Sequence, residues 1–220
     1  MNATQGKTPT YDPRMLGGGS VVPYIGQWSG EELLPTQIIQ HPRGGIGYAD
    51  ETLMDRDGWG VLWARTASRI GIGKPLFKAL HPLRQRRAML RLLCQVCARP
   101  ADRNEQGQLW LLPEQPDYEP GWPEDVPVTL PPVCLSCARL SVRMCPALRP
   151  TFIAVRAHSR VCGVHGVRFR PGRFFPRLAS EDEDDGVCCH EDPAIDWVLA
   201  TQLARSLHDC AFVDLDRLGS

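Results

Sequence analysis

Several things are missing from this 220-residue chain. No window approaches eighteen consecutive apolar residues, so no segment reads as a membrane-spanning helix. The opening residues, MNATQGKTPT, lack a charged-then-apolar signal pattern, so the chain is not expected to be secreted. Lysine is nearly absent, with three against 22 arginines. That ratio suits bidentate phosphate contacts better than point charges, although a GC-rich bacterial genome produces the same bias. No phosphate-loop pattern emerges, because Gly71-Ile72-Gly73-Lys74 runs straight into Pro75 and lacks an upstream glycine, so the stretch reads as an ordinary loop. There is no G-x-S-x-G, no assigned base for Ser136 or Ser141, and no internal repeat. No histidine lies between His81 and His158.

What is present indicates one domain or two small ones. Hydrophobic residues make up 43% and charged residues 23%, enough for a packed core and incompatible with wholesale disorder. The formal net charge of zero conceals a pattern. Gly58–Ala101 holds nine Lys or Arg and no acid, and Val126–Ser180 holds nine Arg and no acid. Acids gather in Asp50–Asp57, in Asp102–Asp125 and in the run 181–185. Blocks of this kind serve either as solvated faces or as anion-binding surfaces. Nine cysteines in a chain without a secretion signal point to a reducing cytoplasm, where thiols bind metal or do chemistry instead of pairing.

Along the chain, residues 1–20 end in Gly-Gly-Gly-Ser and read as a flexible tail. Residues 21–80 read as a β-rich aromatic unit, with Ile46–Tyr48 and Val61–Trp63 as strands joined through the turn residues Asp55–Gly58. Its aromatics, Tyr24, Trp28, Tyr48, Trp59 and Trp63, form either a small core or a stacking surface. Residues 81–150 open with a helix over 82–93, entered at His81-Pro82, whose arginines point away from its leucines. A strand at Leu109–Leu112 and a proline-rich insertion follow. Residues 151–220 read as a β-hairpin turning near His158–Arg160, an acidic loop, and a docking helix capped by Asp192-Pro193. That helix would present Ile195, Val198, Leu199, Leu203 and Leu207. The fold class expected is therefore α+β.

The sharpest motif is Cys94-x2-Cys97 with Cys134-x2-Cys137. Two intervening residues let a tight turn aim both sulfurs at one ion, and four thiolates close a tetrahedron around structural Zn2+. Four buried free thiols or an iron–sulfur cluster are the alternatives, with zinc favoured. The arrangement of a CxxC knuckle, a strand-bearing segment and a second CxxC opening a helix resembles a treble-clef zinc finger over about residues 91–148. The resemblance implies binding of nucleic acid or protein. Its HNH nuclease branch places an Asp-His pair after the first knuckle, where the histidine activates water. Here Asp102 is followed by Arg103, so that chemistry lacks its base.

A second metal site is assembled on paper from Cys162, His165, Cys189 and His190, although adjacent ligands point apart on a regular strand. Cys145 and Cys210 have no evident partner. The leading expectation is a cytoplasmic zinc protein with an arginine-rich face of Arg84, Arg86, Arg87, Arg91, Arg139 and Arg143 contacting DNA, RNA or another anion. The rivals are a small bacterial enzyme using structural zinc and a separate pocket near His41, His81 or the second cluster, and an adaptor recognising a protein partner through its aromatics and proline-rich loop.

Overall fold

A computed structural model describes residues 21–42, 44–113, 122–146, 148, 151–180 and 186–218. The stretch before residue 21, the middle of the proline-rich insertion and the acidic run lie outside these residues.

The chain is α+β. In order it forms β1 (Gly26–Trp28), β2 (Ile38–Gln40), β3 (Ile46–Tyr48), β4 (Leu62–Trp63), β5 (Pro75–Leu80), α1 (Pro82–Arg91), β6 (Arg103–Asn104), β7 (Gly107–Pro113), β8 (Pro127–Val128), α2 (Leu135–Met144), β9 (Phe152–Arg170), β10 (Arg177–Leu178), β11 (Cys188–Cys189) and β12 (Val198–Phe212). The main sheet runs β4-β12-β9-β7-β6, with β8 on β12 and β10 and β11 on β9. β4 lies parallel to β12, and the other pairs are antiparallel. β1 pairs with β5, and β2 with β3, in two small ladders.

The expected hairpin within 151–170 is instead one continuous 19-residue strand. His158, Ser159 and Arg160 sit mid-strand opposite His208, Leu207 and Ser206, so the second arm comes from β12. The expected C-terminal helix is that arm. Asp192 does cap a turn, accepting from the amide of Ala194, but the turn is a single 3-10 stretch, Pro193–Trp197, and then the chain extends. The physical reason is a bulge. β12 slips by one residue between Ala200 and Gln202, so its core face reads 198, 200, 203, 205, 207 instead of keeping a strict period of two. With Leu199 and Gln202 from the other face mixed in, the spacing imitates a helix. Gly166 and Gly163 let the partners close in: a Cβ there would lie 2.1 Å from the Leu199 carbonyl and 2.2 Å from that of Cys188.

The turn at Asp55–Gly58 forms, but it joins Asp55–Asp57 to Val61–Trp63, with Arg56 bridging Leu62 and the Trp63 amide donating to the Asp55 carbonyl at 2.9 Å. Ile46–Tyr48 pairs elsewhere, on β2.

α1 begins where Pro82 predicts, with His81 as its N-cap, and ends in a left-handed Leu92. Its orientation differs from the expectation. Leu83 and Leu90 are exposed while Arg84 and Gln85 are buried. Gln85 fills a gap on the outer edge of β12 between β4 and β8. There its side-chain amide accepts from the Leu203 amide and donates to the Leu203 carbonyl, both at 2.9 Å. Arg84 meets Glu31 through both guanidinium nitrogens at 2.6 and 2.7 Å and also donates to the carbonyls of Tyr24 and Gly26. The amides of Trp28 and Arg69 complete the Glu31 carboxylate. Around these polar anchors pack a main core containing Trp63, Met89, Trp110, Val155 and Leu203, and a second core beneath the cysteine pairs.

Burial alone would raise the pKa of Glu31, yet Arg84 and the two amides outweigh it and hold it below its ordinary value. A carboxyl depressed in the fold stabilises fully above its unfolded value of roughly 4.3, and that contribution is lost as pH falls below it. Removing Arg84 strands a buried charge. Arg84→Ala should therefore cost about 3–5 kcal/mol in urea unfolding at neutral pH, while Arg91→Ala should stay within about 0.5 kcal/mol. The gap between wild type and Glu31→Gln should narrow as the titration is taken to about pH 3.

Candidate metal centre

The left-handed Leu92 turns the chain out of α1, and Leu93 bridges Pro100 across a tight knuckle. Inside it the Cys94 amide donates to the Arg99 carbonyl at 2.7 Å and the Ala98 amide to the Cys94 carbonyl at 2.9 Å, with Ala98 at φ 59°. This fold-back brings Cys94 and Cys97 to one side. β6 and β7 follow as a hairpin. The second pair sits at the start of α2, where Cys134 is the N-cap and Cys137 lies in the first turn. Backbone bonds bind the halves: the Gln95 amide donates to Pro132, Asp102 to Val133, and Val133 to Leu109.

The four sulfurs all lie within 4.8 Å of one another, and those of Cys97 and Cys134 are 3.8 Å apart. A tetrahedron with metal–sulfur bonds of about 2.3 Å has an edge of about 3.8 Å, so the spacing suits one ion at the centre. The same spacing is far beyond a disulfide bond. Cys94, Cys97 and Cys137 are buried and Cys134 is half-buried, under Val96, Leu109, Val133, Ala138 and Leu215. Three of the four side chains are buried among apolar residues, and the fourth, Cys134, reaches the exposed Ser136 hydroxyl at 3.4 Å, so a bound ion would be enclosed by sulfur with only its Cys134 side near solvent. A closed site of four thiolates is structural and not catalytic.

Charge sharing among the thiols fits this role. Hydrogen bonds from Cys134, Cys137 and Cys94 hold Cys97 well below the ordinary thiol range, with Arg99 adding to the effect. Cys134 is drawn down to about 6, first by Cys137 and then by Cys94. Cys94 and Cys137 are pushed up, each through Cys134 first. The N-terminus of α2 adds positive potential beside the second pair. The four thiols share their protons as one group, and a cation at the centre would displace those that remain.

The other candidate residues fare differently. No three of Cys162, His165, Cys189 and His190 bring ligand atoms within 4.8 Å of one another, so the second cluster does not converge among the described residues. β11 pairs its Cys188 and Cys189 with Val164 and Gly163, which leaves Cys189 exposed. The His190 ring is drawn away to stack on Trp59, with centroids 4.6 Å apart and planes 6° apart. Burial raises the Cys162 thiol to about 11. Burial and Glu124 raise Cys210 to about 12.

Of the six arginines expected on one anion-binding face, Arg84 is buried with Glu31. Arg139 donates to the carbonyls of Leu215 and Leu218 and so pins the C-terminal segment. Arg86 lies over Trp63 at 4.5 Å, and Arg87 lies over Tyr24 and donates to its hydroxyl. Arg91 and Arg143 are exposed. The N-terminal aromatics split likewise: Trp28, Tyr48 and Trp63 are core, while Trp59 is half-exposed. His81 is fully buried, and burial lowers its pKa.

One cluster had no sequence signal. Glu124, Asp125 and His208 gather with Asp125 Oδ1 2.7 Å from His208 Nδ1. Glu124 uses both carboxylate oxygens on the amides of Asp209 and Cys210, so it works as a loop fastener. Its residues lie some eighty positions apart, beyond the reach of any local pattern.

Compared with protein-family models, with curated protein sequences and with solved structures, the chain matches none.

If the four cysteines act as one site, they should fail as one. Cys97→Ser and Cys137→Ser should each lower the thermal midpoint by several degrees or more and should add little to each other. Cys189→Ser should leave the midpoint within about a degree.

Proposed function

We propose that this chain is a zinc-binding protein in which Cys94, Cys97, Cys134 and Cys137 hold one structural Zn2+, and that its exposed arginines bind nucleic acid or a similarly anionic partner. The observation that carries the first half is the convergence of four largely buried thiols within 4.8 Å of one another, an all-sulfur donor set that favours zinc over harder cations. The order of knuckle, hairpin and helix-borne second pair supports a treble-clef-like reading. All nine cysteines are free thiols in the fold, which supports a reducing compartment such as the cytoplasm.

The second half rests on charge. With Arg84 and Arg139 committed internally and Arg86 and Arg87 lying over Trp63 and Tyr24, the anion-binding face is carried by Arg91 and Arg143, joined by Arg99, which is exposed and whose charge is favoured by the Cys97 thiol. Zinc does no chemistry in this scheme. It holds the knuckle and α2 in place so that the arginines they border keep a defined arrangement.

Purified protein should contain one zinc per chain by elemental analysis. Removal with a strong chelator should expose four additional fast-reacting thiols and lower the thermal midpoint. Absence of metal, or visible iron–sulfur absorbance, would reject the zinc assignment. Binding to a labelled 20-nucleotide single strand should weaken linearly in log–log salt plots, with a slope of about −0.7 per phosphate contacted. Arg91→Glu with Arg143→Glu should weaken that binding at least tenfold without loss of zinc. Unchanged affinity would remove those residues from the face.

A further inference from the structure

Past the end of its pairing with β12 at Val198, β9 runs on to Arg170 and doubles back through Pro171–Pro176 into β10, with Arg170 opposite Arg177 and Phe169 opposite Leu178. The tip of this ribbon reads Arg173-Phe174-Phe175. All three residues are exposed, and the two phenylalanines are at 77% and 63% of full accessibility. Trp28, Trp63 and Trp110 are almost fully buried, and the other exposed phenylalanines, Phe77 and Phe212, have no aromatic neighbour in sequence, whereas the tip presents two in succession. Two adjacent phenylalanines in water at the end of a two-stranded arm are therefore not leftover core. They sit where nothing in the described chain packs over them, near the end of an acid-free block that holds nine arginines.

The geometry points to this arm as a contact for single-stranded nucleic acid, with Phe174 and Phe175 as base-stacking platforms and Arg173 and Arg177 on the flanking phosphates. Two observations and two general properties of these side chains favour that occupant. The Arg173 guanidinium already lies 5.2 Å from the Phe174 ring centroid, the geometry that extends a stacking surface by a cationic plane. Arg177 begins the return strand within a few residues of the rings and is itself exposed, so cations stand on both sides of the tip. These cations are arginines, which stack and bind phosphate bidentately. Finally, aromatic rings paired with backbone-tracking cations are the recurrent means of holding unpaired bases, since every base offers a π face. The arm is anchored to the body at its base: Phe169 packs against the small Ile46–Tyr48–Leu62 cluster, and the Gly172 amide approaches Gln40 Oε1 at 3.4 Å.

This inference rests on the nucleic-acid reading above and is separable from it. Full-length zinc-loaded protein would be titrated into labelled 12-nucleotide oligo-dT and oligo-U, a 12-base-pair duplex, and vesicles of 30% phosphatidylglycerol in phosphatidylcholine. Phe174→Ala with Phe175→Ala should weaken single-strand binding on the order of tenfold or more, with the salt slope and thermal midpoint unchanged. Arg173→Ala with Arg177→Ala should instead reduce the slope by about 1.4. In a Phe174→Trp variant, indole fluorescence should be quenched on oligo-dT binding. If wild type binds the oligonucleotides and the double phenylalanine variant binds equally well, the arm is not the contact, while the arginine-face reading stands. If wild type binds no nucleic acid, both fall. Loss of vesicle binding by the phenylalanine variant with oligonucleotide affinity unchanged would make the tip a lipid wedge and overturn the proposal.

Discussion

The antiparallel pairing of β9 with β12 is the constraint on which the rest of the molecule depends. These two strands, of 19 and 15 residues, hold nearly every other piece of the main sheet: β7, β10 and β11 attach to one, β4 and β8 to the other. Their ladder joins residues from 155 to 212, so it is a long-range closure whose entropic cost is recovered only when both strands are covered. α1 covers β12, and its position is set by polar contacts. Gln85 takes both backbone groups of Leu203 in the gap that neither β4 nor β8 reaches. Arg205 returns from the strand to the Met89 carbonyl at 3.2 Å. Buried polar groups are costly when unpaired and directional when paired, so these bonds register the helix on the sheet more sharply than apolar packing alone would.

The cysteine cluster inherits its geometry from that registration. Its first pair follows directly from the end of α1, and its second pair begins α2, on the far side of the β6–β7 hairpin that pairs with β9. The hydrogen bonds donated by the Gln95, Asp102 and Val133 amides fasten the two halves before any ion is considered. The site therefore fuses the second core to the edge of the sheet. Deprotonated thiolates brought this close would repel one another, and a central cation converts the repulsion into cohesion.

The arginines divide by what surrounds them and not by where they fall in the chain. Arg84, Arg156 and Arg205 are buried and each has an internal partner: Glu31, Asp102, and Ser159 with the Met89 carbonyl. Arg65 spans Asp50 and Asp55 and lies over Tyr48. Those positions contribute to the fold. Arg91, Arg143, Arg173 and Arg177 face solvent and leave the protein with charge to offer a partner. A neutral overall charge thus coexists with local basic surfaces, because Glu31 and Asp55 are buried against arginines and most other acids fall in separate blocks of the sequence.

Local chemistry alone determined part of this protein. The CxxC spacing specified which sulfurs stand together within each pair, since a two-residue gap closes a turn whatever surrounds it. Pro82 started α1 because its ring suits a first turn and needs no amide partner. Asp192 capped a turn for the same kind of local reason. Other features depended on residues far apart in the chain. The Val198–Leu207 pattern is helical by period and strand by fact, because a bulge selected by β9 displaced the alternation. Arg84 and Leu83 exchanged the places their hydrophobicities suggest, because Glu31, 53 positions earlier, supplies a buried carboxylate and two nearby carbonyls complete the cage. His190 left the company of Cys189 for Trp59. Short-range steric and hydrogen-bonding rules are encoded within a few residues and can be read there. Register, burial of charge and choice of partner are set by free energies summed over the whole packed chain, and only the tertiary structure contains that sum.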